Sequence, residues 1–156
     1  MNIRVKVLSV LFSILMVLIG CAPKNMNVET QDNPCLQSSG KNNFRLCEPL
    51  NFKVDNTKFQ VPKGFETSLS SLPYAGSTLM VLFKNGYLPS GIIHDYLYDC
   101  RSPFSRLEAD AILYHGLISD GIEEKKARAL YYVMVTSGWH YYSGDKQCNI
   151  GVIGDE

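Results

Sequence analysis

Between Phe44 and Pro62 apolar and polar positions alternate. Leu50, Phe52 and Val54 are separated by Asn51 and Lys53, and Phe59 and Val61 by Gln60. A period of two gathers the apolar side chains on one face of a strand. Asp55-Asn56-Thr57 between the two runs is turn chemistry, so a hairpin is predicted here. Pro62-Lys63-Gly64 ends it, and Thr67 to Pro73 is a Ser-rich loop. Thr78 to Phe83 is a short apolar run closed by Asn85-Gly86; its length suits a strand or a buried helix equally.

From Pro89 onward the period lengthens. A helix is predicted from Pro89 to Tyr98, with proline in its first turn and Ser102-Pro103 as its break. Ser105-Arg106-Leu107-Glu108 has the form of a capping box and predicts a second helix to about Ile118. Asp120-Gly121-Ile122-Glu123 has the same form and predicts a third, running to about Ser137 and stopped by Gly138. Leu130, Val133, Met134 and Ser137 share a stripe of that helix and suit core packing, and Trp139 suits a core plug. The fold class that follows is α+β: a small antiparallel sheet, then three helices.

The front of the chain has another pattern. Arg4 and Lys6 precede a nearly unbroken apolar run from Val7 to Ile19. It is shorter than the ~20 residues of a membrane-spanning helix and suits the core of a signal peptide over residues 1–20. The run ends in Leu18-Ile19-Gly20-Cys21, which resembles the bacterial lipobox and marks Cys21 for lipidation. Ala22 stands where aspartate would resemble an inner-membrane retention signal, so the resemblance favours the outer membrane, with the domain facing periplasm or cell surface. Ala22 to Lys41 is rich in Asn, Gln and Ser and lacks an apolar period. Residues 21–42 are therefore expected to be a lipidated tether and 43–156 a single domain.

Charge and cysteine usage fit that address. Fifteen basic residues balance fifteen acidic ones. No basic patch stands out, so nucleic acid is not an expected partner. With Cys21 lipidated, Cys35, Cys47, Cys100 and Cys148 remain, an even number in an oxidising compartment. Of three pairings, Cys35–Cys47 with Cys100–Cys148 is favoured. The first closes a short loop and the second pins the tail to the end of the first helix, each contributing about 3 kcal/mol. No spacing resembles a zinc site, and neither metal nor cofactor is expected.

The candidate chemistry lies in Ile92-Ile93-His94-Asp95-Tyr96-Leu97-Tyr98, where a histidine and a carboxylate sit inside an apolar run. His94 and Tyr98 fall on one helix face, four apart. Asp110 shares a face of the second helix with Leu107, Tyr114 and Leu117. A carboxylate among apolar neighbours must find a partner. The short link between the helices allows Asp110 to meet His94, as a carboxylate that orients a general base. His94, Asp95 and Asp110 are thus the candidate catalytic residues. The competing expectation is structural: Arg106, four before Asp110, can form an ion pair with it. His115 and His140 suit surface or tail positions. Ser68, Ser70 and Ser71 lack the Gly-x-Ser-x-Gly frame of a nucleophile.

Phe59-x-Val61-Pro62-x-Gly64-Phe65-x-Thr67, Ser71-x-Pro73, His94-Asp95-Tyr96-Leu97-Tyr98, Ala109-Asp110 and the stretch from Ala127 to Gly138-Trp139 together resemble an uncharacterised domain family of bacteriophages and prophages. Ser68 stands where that family has aspartate. The resemblance implies a phage connection without a reaction. His94-Asp95 with Tyr98 and Asp110 is also similar to the helical histidine site of secreted phospholipases, where the histidine is the base and its neighbouring aspartate holds calcium. Gly91 and Leu97 depart from that motif's cysteines.

The expected function is an envelope lipoprotein of phage or prophage origin. It would bind an envelope protein from its membrane anchor, with superinfection exclusion as the role in view. The alternative is a small periplasmic hydrolase using His94, Asp95 and Asp110 on lipid or cell wall.

Overall fold

The computed structural model describes residues 22–30, 33–41, 43–68, 88–100 and 102–143, and the backbone of 151–155. The signal peptide, Cys21, Ser70, Ser71, the Thr78–Phe83 run and Cys148 lie outside the described residues.

The fold is α+β; among the described residues it has two small antiparallel sheets and three helices. The strands are β1 (Val28–Thr30), β2 (Leu36–Gly40), β3 (Asn43–Leu46), β4 (Leu50–Val54), β5 (Thr57–Val61), β6 (Glu66–Thr67) and β7 (Gly151–Asp155). The helices are α1 (Leu88–Asp99), α2 (Arg106–Ser119) and α3 (Glu124–Ser137), and a single 3₁₀ turn covers Gly138–His140.

One sheet has the order β1-β4-β5-β7, the other β2-β3-β6. The hairpin β4–β5 pairs Phe52 with Phe59 and Val54 with Thr57. Leu50, Phe52, Val54, Phe59 and Val61 are buried, as the period of two requires. Asp55 takes φ 53° in the turn, a conformation aspartate tolerates better than most residues. Phe59 stacks on Phe52 and meets Phe104, from the link between α1 and α2, edge to face at 5.1 Å. The sheet is thereby packed on the helical layer.

Two departures concern the sheets. The stretch expected to be a tether contains β1 and β2. Met26 and Val28 are buried, and Asn27 and Asp55 exchange two hydrogen bonds, at 2.9 and 2.7 Å. A three-residue edge strand needs only one or two apolar side chains, too few to create a period. The mostly exposed β2 is held by backbone pairing with β3 and by the Cys35–Cys47 disulfide, which lies next to the Leu36–Leu46 pair. The second departure is β7, which follows the helices and pairs with β5. Its two glycines dilute any strand signal.

Pro89 to Tyr98 of α1 are buried on every side, the mark of a central helix. Ser105 opens α2 with both halves of the capping box in place. The box expected at Asp120 is absent. Glu123 is the N-cap of α3 and makes no side-chain cap bond. Asp120 instead closes α2, its N–H bonded to Gly116 O at 2.8 Å. On α3, Leu130 and Met134 are core, but Val133 is exposed; the buried stripe runs through Ala127 and Tyr131. Trp139 is not a plug: it is 60% exposed and stacks on His140. No helix among the described residues is long and apolar enough to cross a membrane.

A buried histidine–carboxylate network as the candidate site

The antiparallel packing of α1 on α2 brings His94, Tyr98 and Asp110 together. His94 Nε2 lies 3.2 Å from Asp110 Oδ1. Carboxylates only accept, so this bond requires the tautomer with its proton on Nε2. The Tyr98 hydroxyl donates to the same oxygen. The other oxygen, Oδ2, accepts from Arg106 Nη1 at 3.0 Å, and Arg106 also donates to Met134 O at 3.3 Å. Both expected contacts of Asp110 are therefore present: its carboxylate is shared between His94 and Arg106.

His94 and Asp110 are each 0% exposed. Their rings and chains are fixed further: the His94 and Tyr98 rings lie 4.0 Å apart, and Gly138 sits against the Tyr98 hydroxyl where a Cβ would collide. Burial, then the charge of Asp110, pushes the Tyr98 hydroxyl well above its ordinary range. It stays protonated and donating. Leu107, expected on the Asp110 face, is half exposed, because it lies in the first turn of α2 ahead of the α1 contact.

Asp95 is engaged elsewhere. It is buried and accepts from the Thr67 hydroxyl on β6. Phe65 meets Tyr96 edge to face at 5.0 Å beside it. This polar and aromatic pair ties the smaller sheet to α1. Among the described residues, no group of three or more His, Cys, Asp or Glu side chains is gathered to hold a metal. Cys35 is joined to Cys47, and Cys100 is disulfide-bonded.

Sequence reasoning missed a second polar junction. Ser90 Oγ donates to Asp120 Oδ2 at 2.5 Å, and Thr30 donates to Asp120 Oδ1. Asp120 thus joins α1, α2 and β1. The available signal was Gly116: a Cβ there would come within 2.6 Å of Ser90 Oγ, and a helical glycine with no turn to make marks a close approach. His115, at intermediate exposure, bonds Lys24 O at 3.0 Å.

As chemistry, the network is a carboxylate that orients an imidazole, with a phenol and a guanidinium completing its shell. No buried side-chain nitrogen or oxygen among the described residues lacks a partner.

A family model described as a protein of unknown function (DUF1353) matches residues 44–135. That range holds His94, Asp95, Tyr98, Arg106 and Asp110. Two uncharacterised proteins of Sinorhizobium fredii are similar in sequence. The protein y4jT is 29% identical over 97 residues, 61% of this chain and 29% of its own length. The protein y4iH is 28% identical over 81 residues, 51% of this chain and 32% of its own length. The chain thus spans about a third of the length of these relatives. No solved structure matches it.

Proposed function

The chain belongs to DUF1353, a family of unknown function, and from its own site we propose that it is an envelope lipoprotein whose domain acts by binding. In this reading Cys21 carries the lipid, the protein comes from a phage or prophage, and the binding excludes other phages. The observation that carries the binding reading over a catalytic one is that His94 and Asp110 are both 0% exposed, with both Asp110 oxygens taken by protein donors. A general base must reach the proton it removes from a substrate. A closed network instead fixes the angle between two helices. The run ending in Leu18-Ile19-Gly20-Cys21 supports the anchor.

The hydrolase alternative has one observation in its favour, the 3.2 Å contact between His94 and Asp110. A plating experiment separates the two. Cells producing wild type, Asp110→Asn or Cys21→Ser at matched levels are challenged with a panel of phages. Binding from the membrane predicts that wild type and Asp110→Asn restrict the same phages and that Cys21→Ser restricts none. Restriction lost in Asp110→Asn at full protein level would support the hydrolase. A wild type that restricts no phage sinks the exclusion role.

A further inference from the structure

The residues just after Cys21 are part of the fold. Lys24 Nζ forms a 2.7 Å ion pair with Glu108 in the first turn of α2, and Lys24 O accepts from His115 two turns later. Met26 is buried, and Thr30 reaches Asp120 at the far end of α2. The segment from Lys24 to Thr30 therefore runs along α2 in the helix's own direction. Lys24 itself is held against the first two turns of that helix, between Glu108 and His115. Cys21 is three peptide steps from Lys24, a reach of at most about 11 Å, where a leash from 21 to 42 would reach roughly 75 Å.

That end of the helical layer also gathers exposed apolar and aromatic residues. Helices α1 and α3 finish where α2 starts: Arg106 bonds Met134 O, Gly138 packs on Tyr98, and Ser143 N bonds Tyr98 O at 3.2 Å. Leu107 is 50% exposed there, Trp139 60% and Tyr141 45%. Tryptophan and tyrosine favour the membrane–water interface, where an apolar ring and a polar tip are both accommodated.

We propose that this end of the domain is a bilayer-contact surface, seated on the headgroups of the membrane that holds the Cys21 lipid, with Leu107, Trp139 and Tyr141 at the interface. The proposal rests on the anchor reading above and adds the orientation. The short leash selects the bilayer as occupant: with Lys24 held on the first two turns of α2, a lipid at Cys21 keeps this part of the domain close to the membrane.

Trp139 is the single tryptophan of the chain and reports the contact directly. The full chain is purified from membranes, and its mass gives the lipid on Cys21. It is then placed in vesicles of phosphatidylethanolamine and phosphatidylglycerol. The expected results are quenching of Trp139 emission by lipids brominated near the headgroup and loss of quenching by aqueous acrylamide, relative to Cys21→Ser in solution. A long Gly-Ser insertion between Ala22 and Pro23 should restore acrylamide quenching. A lipidated chain whose Trp139 stays open to acrylamide and insensitive to brominated lipid overturns the surface and leaves the anchor standing. Shielding from acrylamide without lipid quenching means that copies of the chain cover Trp139, and overturns it too. A chain with no lipid on Cys21 overturns the anchor and this surface together.

Discussion

Asp110 is the residue on which the helix interface turns. Removing its carboxylate leaves a phenol, an imidazole and a guanidinium without their shared acceptor, two of them fully buried. Asp110→Ala is expected to lower stability by about 3–5 kcal/mol, the cost of breaking a buried charged network. Asp110→Asn keeps an oxygen for Tyr98 and His94, and the partly exposed Arg106 can turn to water, so about 1–2 kcal/mol is expected. Urea denaturation of the two variants, with m unchanged, measures both. Tyr98 adds a pH dependence. Burial, first of all, raises its folded pKa above the ordinary 10.0. The unfolded chain therefore loses this proton first, and stability present below pH 10 falls as pH rises above it. The urea midpoint should drop in that alkaline window, and Tyr98→Phe should flatten the drop. Tyr96, also raised by burial, retains part of it.

At the level of elements, the spacing between α1 and α2 depends on an absence. Ala in place of Gly inside a helix ordinarily gains up to about 1 kcal/mol. At Gly116 the new Cβ would fall 2.6 Å from Ser90 Oγ, which Asp120 holds in place. Gly116→Ala is expected to cost about 1–3 kcal/mol instead, as overpacking does. Removing the obstructing oxygen relieves the clash, so Gly116→Ala with Ser90→Ala should cost less than the sum of the two singles. Thermal or urea unfolding of the four proteins closes the cycle; strict additivity would refute the close approach. The capping box of α2 was legible because Ser105 and Glu108 are local to it. The start of α3 was not. Asp120 has the capping residue type, but Ser90 and Thr30 claim its carboxylate, and both are distant in sequence.

Over the whole molecule, α1 is the hub. The larger sheet reaches the helical layer through Phe59 and Phe104, and the smaller sheet reaches α1 through Thr67 and Phe65. The smaller sheet buries little of β2, so its hold depends on the Cys35–Cys47 link, which closes a separation of 12 residues. Replacing both cysteines by serine should lower stability by about 2–3 kcal/mol, since the loop-closure entropy returns to the unfolded chain. Urea midpoints of the wild type with and without reductant, beside the double variant, test this; equal midpoints throughout would show that pairing with β3 alone holds β2.

Periodicity and local chemistry alone determined the α+β class, the β4–β5 hairpin, the three helices and the candidates on α1 and α2. Those signals are short-range: alternation needs five residues, a capping box four. Asp110 was legible as a carboxylate in need of a partner, because an apolar face makes an unpaired charge costly. Which partners it takes was decided only by the tertiary structure, since His94, Tyr98 and Arg106 compete for two oxygens whose positions depend on how the helices cross. The same holds for β1, β2 and β7. Their few apolar residues leave no period: β1 and β7 exist because partners far along the chain complete their backbone hydrogen bonds, and β2 because the neighbouring β3 and the Cys35–Cys47 disulfide hold it. Trp139 completes the contrast: its size suggested burial, but the ends of α1 and α3 that meet at Gly138 leave it outside.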